Sequence, residues 1–332
     1  MNTIVWGVLG CAHINDKVVP PMRRAAGCRV KGIASRRPGQ ARESADRFGL
    51  DVAYDGYEAL LADPEIDAVY IPLPNHLHVE WAIKSLEAGK HVLCEKPLGL
   101  DAAQARRLIE ARDRTGRRIQ EAFMVRTHPQ WLRVRELVAQ GAIGELRAVA
   151  GGFAYFNIDP KNIRNRPEVG GGGMLDIGCY PITTTRFVLG REPRRVVSLL
   201  ERDPALGTDR LGTVLMDFEG VQASFFYSTQ VATYQRMQFF GTKGRVEVEI
   251  PFNALDDRPM RLLVDDGSTL TGESGRWIEL PVCDQYGVAA EVFALALLGA
   301  GDQAVSLEDS VANLRVIDAA FRSATSGQWE PV

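Results

Sequence analysis

Short apolar runs alternate with charge-decorated segments of helical period over the first third of the chain. The runs at 4–9, 29–34, 67–72, 91–94 and 118–123 read as buried strands, and 41–48, 57–62, 79–87 and 102–115 between them read as helices. This alternation predicts βα units wound around a parallel sheet. Asp101 stands where the helix 102–115 needs an N-cap, and Gly89 and Gly116 stand where glycines stop helices. Near residue 123 the pattern changes. A helix at 131–140 stops at Gly141, and strands follow at 145–157, 194–203, 211–218, 221–230, 235–241, 245–250, 260–264 and 277–282, with turns such as Glu219-Gly220. Hairpin spacing of this kind predicts a large, mainly antiparallel open sheet. Two amphipathic helices, 288–298 and 307–323, close the chain, with Ser306 as N-cap of the second, and are expected to pack the domains together without contributing chemistry. The expected organisation is an α/β domain over 1–122, doubly wound, and an α+β domain over 123–332 that binds substrate and a second subunit.

Composition narrows the function. A chain of 332 residues exceeds what one core usually supports, which agrees with two domains. It is 45% hydrophobic and 24% charged with a formal net charge of -3, so no basic face is expected for nucleic acid. The five cysteines are scattered and form no Cys-x-x-Cys pair, which points to reduced thiols, no metal site and a cytoplasmic location. No apolar run reaches membrane-spanning length, and the opening strand lacks the flanks of a signal peptide.

Candidate chemistry gathers at the strand ends. The first βα turn reads Gly10-Cys11-Ala12-His13-Ile14-Asn15, where a dinucleotide-binding turn has Gly-x-Gly-x-x-Gly. Gly10 supplies the sharp turn and Ala12 the small residue beside a pyrophosphate, while Asn15 is expected to loosen helix–strand packing. The second strand ends in Ala34-Ser35-Arg36-Arg37, with no carboxylate for the ribose of NAD. A hydroxyl and two guanidinium groups there favour the 2′-phosphate of NADP over NAD. Pro72-Leu73-Pro74-Asn75-His76-Leu77-His78 makes a rigid turn after the third apolar run, its two histidines poorly spaced to share a metal. The next strand delivers Glu95-Lys96-Pro97. A solvated lysine is the plain alternative to a catalytic one there. In the second domain Gly170–Gly173 cannot favour a helix, so the helix is expected to begin after them, with mobile backbone left to wrap a substrate. Asp176 and Tyr180, four apart, are expected on one helical face. Asn157, Asn162 and Arg164 are further polar candidates in the loop before them.

Gly10-Cys11-Ala12, the Pro-Asn-His-Leu-His turn, 88–97 and Gly178-Cys179-Tyr180-Pro181 together resemble the glucose-fructose oxidoreductase, inositol dehydrogenase and MocA family, over the length of the chain. The branch it looks most like holds sugar dehydrogenases and dimeric dihydrodiol dehydrogenases. That resemblance implies a Rossmann domain, a catalytic Lys96, a cis Lys96–Pro97 peptide, and Ser35 with Arg36 on NADP. It also implies that the Asp176–Tyr180 helix faces the nicotinamide, with Tyr180 where other branches carry His. The implied cofactor set is Gly10, Cys11, Ala12, His13, Ile14, Ser35, Arg36, Arg37, Pro72, Leu73, Asn75, His78, Glu95, Lys96 and Pro97. The implied catalytic set is Lys96, Tyr180 and Asp176. A phenol with an ordinary pKa of about 10 accepts a proton only when a cation lowers that value, the role expected of Lys96. The expected substrate is a sugar or related polyol or diol, and the expected assembly a homo-oligomer, dimer or tetramer, through the C-terminal sheet.

Overall fold

The structure, a computed structural model, describes residues 3–332. It divides into two compact units. One holds residues up to Thr127 together with Asp284–Val311, the other His128–Cys283 together with Ala312–Val332.

In the first unit β1 (Ile4–Leu9), β2 (Cys28–Ser35), β3 (Val52–Asp55), β4 (Ala68–Ile71), β5 (His91–Cys94) and β6 (Ile119–Glu121) form a parallel sheet. Their order is β3-β2-β1-β4-β5-β6, so the chain reverses its direction of travel between β1 and β4. A crevice opens outside the carboxyl ends of the strands at such a switch point. The connections are α1 (Asn15–Arg24), α2 (Gln40–Phe48), α3 (Tyr57–Leu61), α4 (His78–Glu87) and α5 (Ala102–Thr115). Asp101 caps α5 by accepting from Gln104 N, as its position implies. The hydrophobic pattern did not reveal α1 or β3. Pro20 and Pro21 interrupt α1 and remove two backbone donors, and β3, Val52–Asp55, is only partly buried and ends on an exposed Asp, so it lacks the apolar run that marks β4.

Both faces of this sheet are buried, and alternate residues of each strand serve different cores. Leu9, Val69, Ile71 and Val92 pack with Leu60, Trp81, Leu86 and Leu108 of α3, α4 and α5. Trp6, Val8, Tyr70 and Leu93 face the other way, onto Val18, Val19 and Met22 of α1. The βα units leave that second face short of cover. The helix Gln285–Leu297 (α8 in chain order) completes it with Ala289, Ala290, Phe293 and Ala294. Residues 284–311 therefore belong to the first unit, and the contiguous division at 122/123 expected from the pattern does not describe the compact units. Gln120 Oε1 accepts from Ala304 N at 2.9 Å within the same unit.

The second unit is built on a nine-stranded sheet among the described residues. Its strands are β7 (Leu146–Phe156), β8 (Arg195–Arg202), β9 (Asp209–Asp217), β10 (Gln222–Ser228), β11 (Gln230–Gly241), β12 (Gly244–Val248), β13 (Met260–Asp265), β14 (Arg276–Leu280) and β15 (Glu330–Pro331). The order is β14-β13-β12-β11-β7-β10-β9-β8-β15. It is mainly antiparallel, as hairpin spacing implies, with one parallel pairing between β7 and β10. That pairing joins strands far apart in sequence and leaves no hairpin signal. The predicted Glu219-Gly220 turn joins β9 to β10, with Glu219 at φ 55. Alternate residues such as Val149, Val214, Phe225, Met237 and Phe239 are buried, beside the helices α6 (Pro129–Ala139) and α7 (Cys179–Leu189). The last helix, α9 (Leu307–Ser326), meets β8 near its end, where Ser198 Oγ donates to Ala320 O at 2.5 Å. No helix among the described residues is long and apolar enough to cross a membrane.

Because Phe293 is fully buried against Trp6, with ring centroids 6.1 Å apart, truncating it opens a cavity in the first unit. Phe293→Ala should cost about 3–5 kcal/mol. Chemical denaturation of the full chain measures this, and a loss under about 1 kcal/mol would show that α8 is dispensable to that core.

Candidate active site

In the first unit the chain leaves β1 through Gly10 at φ +123, a conformation that favours glycine, and a Cβ there would lie 2.7 Å from Leu73 Cδ2. Asn15 was expected to loosen helix–strand packing; in the structure it ties the turn itself. Its side chain is buried, and Nδ2 donates to Gly10 O at 2.8 Å, closing the turn on itself. Cys11, Ala12, His13 and Ile14 form the bend that leads into α1. Burial pushes the Cys11 thiol pKa up, which keeps it protonated.

Ser35 is buried at the end of β2, donating to Gln40 Oε1 at 2.9 Å and accepting from Arg37 N at 3.1 Å. Arg36 and Arg37 are exposed, and the Arg36 guanidinium lies 5.2 Å from the Tyr57 ring centroid, over its face. Stacking of this kind holds a guanidinium's edge toward solvent and an incoming anion.

Two further loops meet at the same edge of the sheet. After β4, Pro72 and Leu73 are buried, and Asn75 opens a short 3-10 turn, Asn75–Leu77. After β5 the Lys96–Pro97 peptide is cis. Buried polar groups hold this second loop from several sides. Tyr70 Oη donates to Glu95 Oε1 at 2.6 Å, and Leu98 N donates to Glu121 Oε1 at 2.9 Å. His78 was expected among the cofactor contacts. Its ring is wholly buried, with Nδ1 2.7 Å from Pro97 O and Nε2 2.6 Å from Leu73 O, so it faces protein backbone instead. Tyr286 of α8, a helix in which the sequence showed no chemistry, also faces this strand end. Its phenol pKa is pushed up to about 12, mainly by burial and further by Glu95, against a lowering by Lys96.

In the second unit the glycine stretch is closely packed at Gly171, Gly172 and Gly173. Gly172 has φ +125, and a Cβ on it would collide with the Asp209 carboxylate; a Cβ on Gly173 would lie 2.6 Å from the Tyr227 ring. Asp209 is buried and accepts from Met174 N at 2.7 Å and Tyr227 Oη at 2.6 Å, with burial pushing its pKa up. It anchors the start of the segment carrying Asp176. That segment, Met174–Gly178, is π-helical and runs into α7 at Cys179, so the four-residue spacing does not sit on an ordinary helical turn as expected. Wide turns of this kind recur at functional sites.

Asp176 Oδ2 accepts from Tyr155 Oη at 2.6 Å and from Arg164 Nε at 3.0 Å. Both partners are donors, so this oxygen is held as an acceptor in a fixed orientation. Arg164 is raised in pKa, chiefly by the Asp176 charge, and Tyr155 is raised by burial and by the same carboxylate. Tyr180 is half-buried, its ring 5.8 Å from Phe153 and 5.4 Å from Phe252. Asn157 and Asn162 serve as turn formers, accepting from Asp159 N and Arg164 N at 3.0 Å each.

Two family models match the chain. One is an oxidoreductase family with an NAD-binding Rossmann fold, over residues 4–123, and the other is the GFO/IDH/MocA C-terminal domain, over residues 131–247. The chain belongs to the GFO/IDH/MocA oxidoreductase family. Over the full length of both chains this GFO/IDH/MocA protein is 46% identical to an uncharacterized oxidoreductase of Rhizobium meliloti. It is 35% identical to D-xylose 1-dehydrogenase (NADP(+)) 2 of Haloferax volcanii, with 98% of each chain covered. A crystal structure of a 3-ketoreductase from Actinomadura kijaniata in complex with NADP and TDP-benzene matches with a TM-score of 0.90 at 33% identity, covering 97% of this chain and 98% of that one.

Tyr70, Tyr155, Asp209 and Tyr286 were not legible as site residues. Tyr70 and Tyr155 lie inside strands, where tyrosine reads as ordinary core, and Asp209 and Tyr286 are brought in from distant segments. Asp209→Ala leaves the Met174 amide and the Tyr227 hydroxyl as buried donors without their acceptor. A loss of about 1–3 kcal/mol per donor is expected in a denaturant titration, and unchanged stability would remove Asp209 from its anchoring role.

Proposed function

We propose that this oxidoreductase is NADP-linked and acts on a hydroxyl-bearing carbon of a sugar or related polyol or diol, or on the carbonyl derived from it. The observation that carries the cofactor choice is the end of β2, where Ser35 is braced by Gln40 and Arg36 stacks on Tyr57 with no carboxylate in 34–37. The sharp Gly10 turn and the small Ala12 beside it fit a pyrophosphate at the start of α1. The NADP-dependent xylose dehydrogenase and the NADP-bound ketoreductase among the relatives support the same reading. Cys11, His13, Ile14, Arg37, Pro72, Leu73, Asn75, Glu95 and Pro97 complete the proposed cofactor surface through backbone and side chain.

NADP supplies, when bound, the hydride donor or acceptor at its nicotinamide. Tyr180 Oη takes the proton from the substrate hydroxyl in oxidation and returns it to the carbonyl oxygen in reduction. Lys96 supplies the positive charge that a phenol needs to do this near neutral pH and orients the reacting oxygen. Asp176, held by Tyr155 and Arg164, accepts a hydrogen bond from a neighbouring substrate hydroxyl. The fold's contribution is position and exclusion of water, since the cofactor carries the redox chemistry. We also propose a cytoplasmic homo-oligomer. The free cysteines support the compartment, and the exposed face of the second sheet supports the assembly, with Leu199 76% exposed and Phe226 stacked on Tyr234 at 5.7 Å.

A spectrophotometric screen of aldoses and diols with NADP, paired with a fluorescence titration of NADPH, tests the reading. Turnover is expected; NADPH binding with none of the substrates turned over would instead mark a sensor, and copurified cofactor with no net absorbance change would mark an enzyme cycling between two sugars. Lys96→Met should abolish turnover with NADPH affinity nearly intact, and wild-type activity in it would sink the assignment. Tyr180→Phe should lose about 10²–10⁴-fold in kcat. Arg36→Ala should weaken NADPH binding by about ten- to a hundredfold, as loss of a charged hydrogen bond implies, and leave NADH binding little changed. Light scattering should return a dimer or tetramer; a monomer overturns the assembly.

A further inference from the structure

His78 opens α4 with 0% of its surface exposed, and its two ring nitrogens face carbonyls of two different loops. Leu73 O, 2.6 Å from Nε2, belongs to the turn after β4, and Pro97 O, 2.7 Å from Nδ1, belongs to the loop after β5, one residue beyond Lys96. Both contacts are hydrogen-bond distances, shorter than a ring carbon can approach a carbonyl oxygen, so packing alone does not explain an imidazole there. The loop is already tied by Tyr70 on Glu95 and by Glu121 on Leu98 N. The Pro97 carbonyl between them gains a donor only when Nδ1 carries a proton.

We propose that His78 is a positioning residue for Lys96: it donates from Nδ1 to the Pro97 carbonyl, one residue beyond the lysine at the end of the strand that presents it. Burial lowers its pKa, the two carbonyls raise it, and Lys96 and His76 are the charged neighbours that lower it further. A ring with one proton serves one carbonyl as donor, and the proposal assigns that proton to Nδ1. Because a small misplacement of a reacting group costs a large factor in rate, the bond acts on kcat more strongly than on cofactor affinity. The kinetic part of this inference rests on the NADP-linked dehydrogenase reading; the location of the proton does not.

Nitrogen NMR of the full-length protein labelled in histidine, with the His78 signals identified by their loss in H78N, reads the ring directly. A protonated Nδ1 is expected, and a bare Nδ1 overturns the proposal. Three variants read the consequence. H78A should lower kcat by about ten- to a hundredfold, a larger factor than its effect on the NADPH Kd. H78N, whose amide can stand where Nδ1 was, should restore most of kcat, and H78Q, whose amide can stand where Nε2 was, should not. Equal losses in H78N and H78Q that follow the melting temperature overturn the proposal, because a packing role does not distinguish the two. A wild-type protein that binds NADPH and turns over no sugar or diol would sink the proposed function and leave the NMR result to judge His78 alone.

Discussion

Buried polar side chains from three elements of the first unit converge on the loop that leaves the carboxyl end of β5, where Lys96 stands half-buried. Glu95 still donates its amide to Ile71 O of β4 at 3.0 Å, and beyond it Lys96 and Pro97 leave the sheet as irregular backbone, whose polar groups need partners of their own. Buried side chains take over: Tyr70 from β4, Glu121 from β6 and His78 from α4 each engage one part of the loop. Such groups are costly to bury unpaired and stabilising only when paired, so each contact specifies one geometry of the loop over its alternatives. The neighbouring turns depend on the same arrangement, since His78 also meets Leu73, and Leu73 in turn limits the room beside Gly10.

The second unit solves a similar problem with a different device. Its Asp176 lies on a π-helical turn whose first amide is taken by a buried carboxylate, Asp209. Gly171 has no room for a side chain against the carbonyls of Ile163, Arg164 and Arg166, and Gly172 and Gly173 have none against β9 and β10. Asp176 is then oriented by Tyr155 from β7 and Arg164 from the preceding loop. In both units a side chain of the candidate site sits on backbone that departs from regular structure, and buried polar partners from other elements stabilise the departure.

The parallel sheet also explains why the chain returns to the first unit near its end. A doubly wound sheet needs helices on both faces, and the face bearing Trp6, Tyr70 and Leu93 obtains one of them from α8. That return brings Tyr286 to the strand end that carries Glu95 and Lys96. A segment recruited for packing thus contributes to the electrostatics of the lysine.

The sequence by itself determined the fold class, most strands and helices of both units, the Gly10 turn and the cationic end of β2, and it singled out Lys96, Asp176 and Tyr180 as candidates. These are local signals: alternation, a glycine where φ must be positive, and charge where a strand ends. It did not show α1 through its two prolines, the four-residue β3, the parallel β7–β10 pairing or the first-unit membership of 284–311. Nor did it show that Asn15 tightens its turn, that Gly171–Gly173 are packed, or that His78 faces backbone. Each of those depends on which distant segment arrives beside a residue. Burial and hydrogen-bond partners are properties of the assembled chain, so only the tertiary structure could decide whether a polar side chain meets solvent, a ligand or another loop.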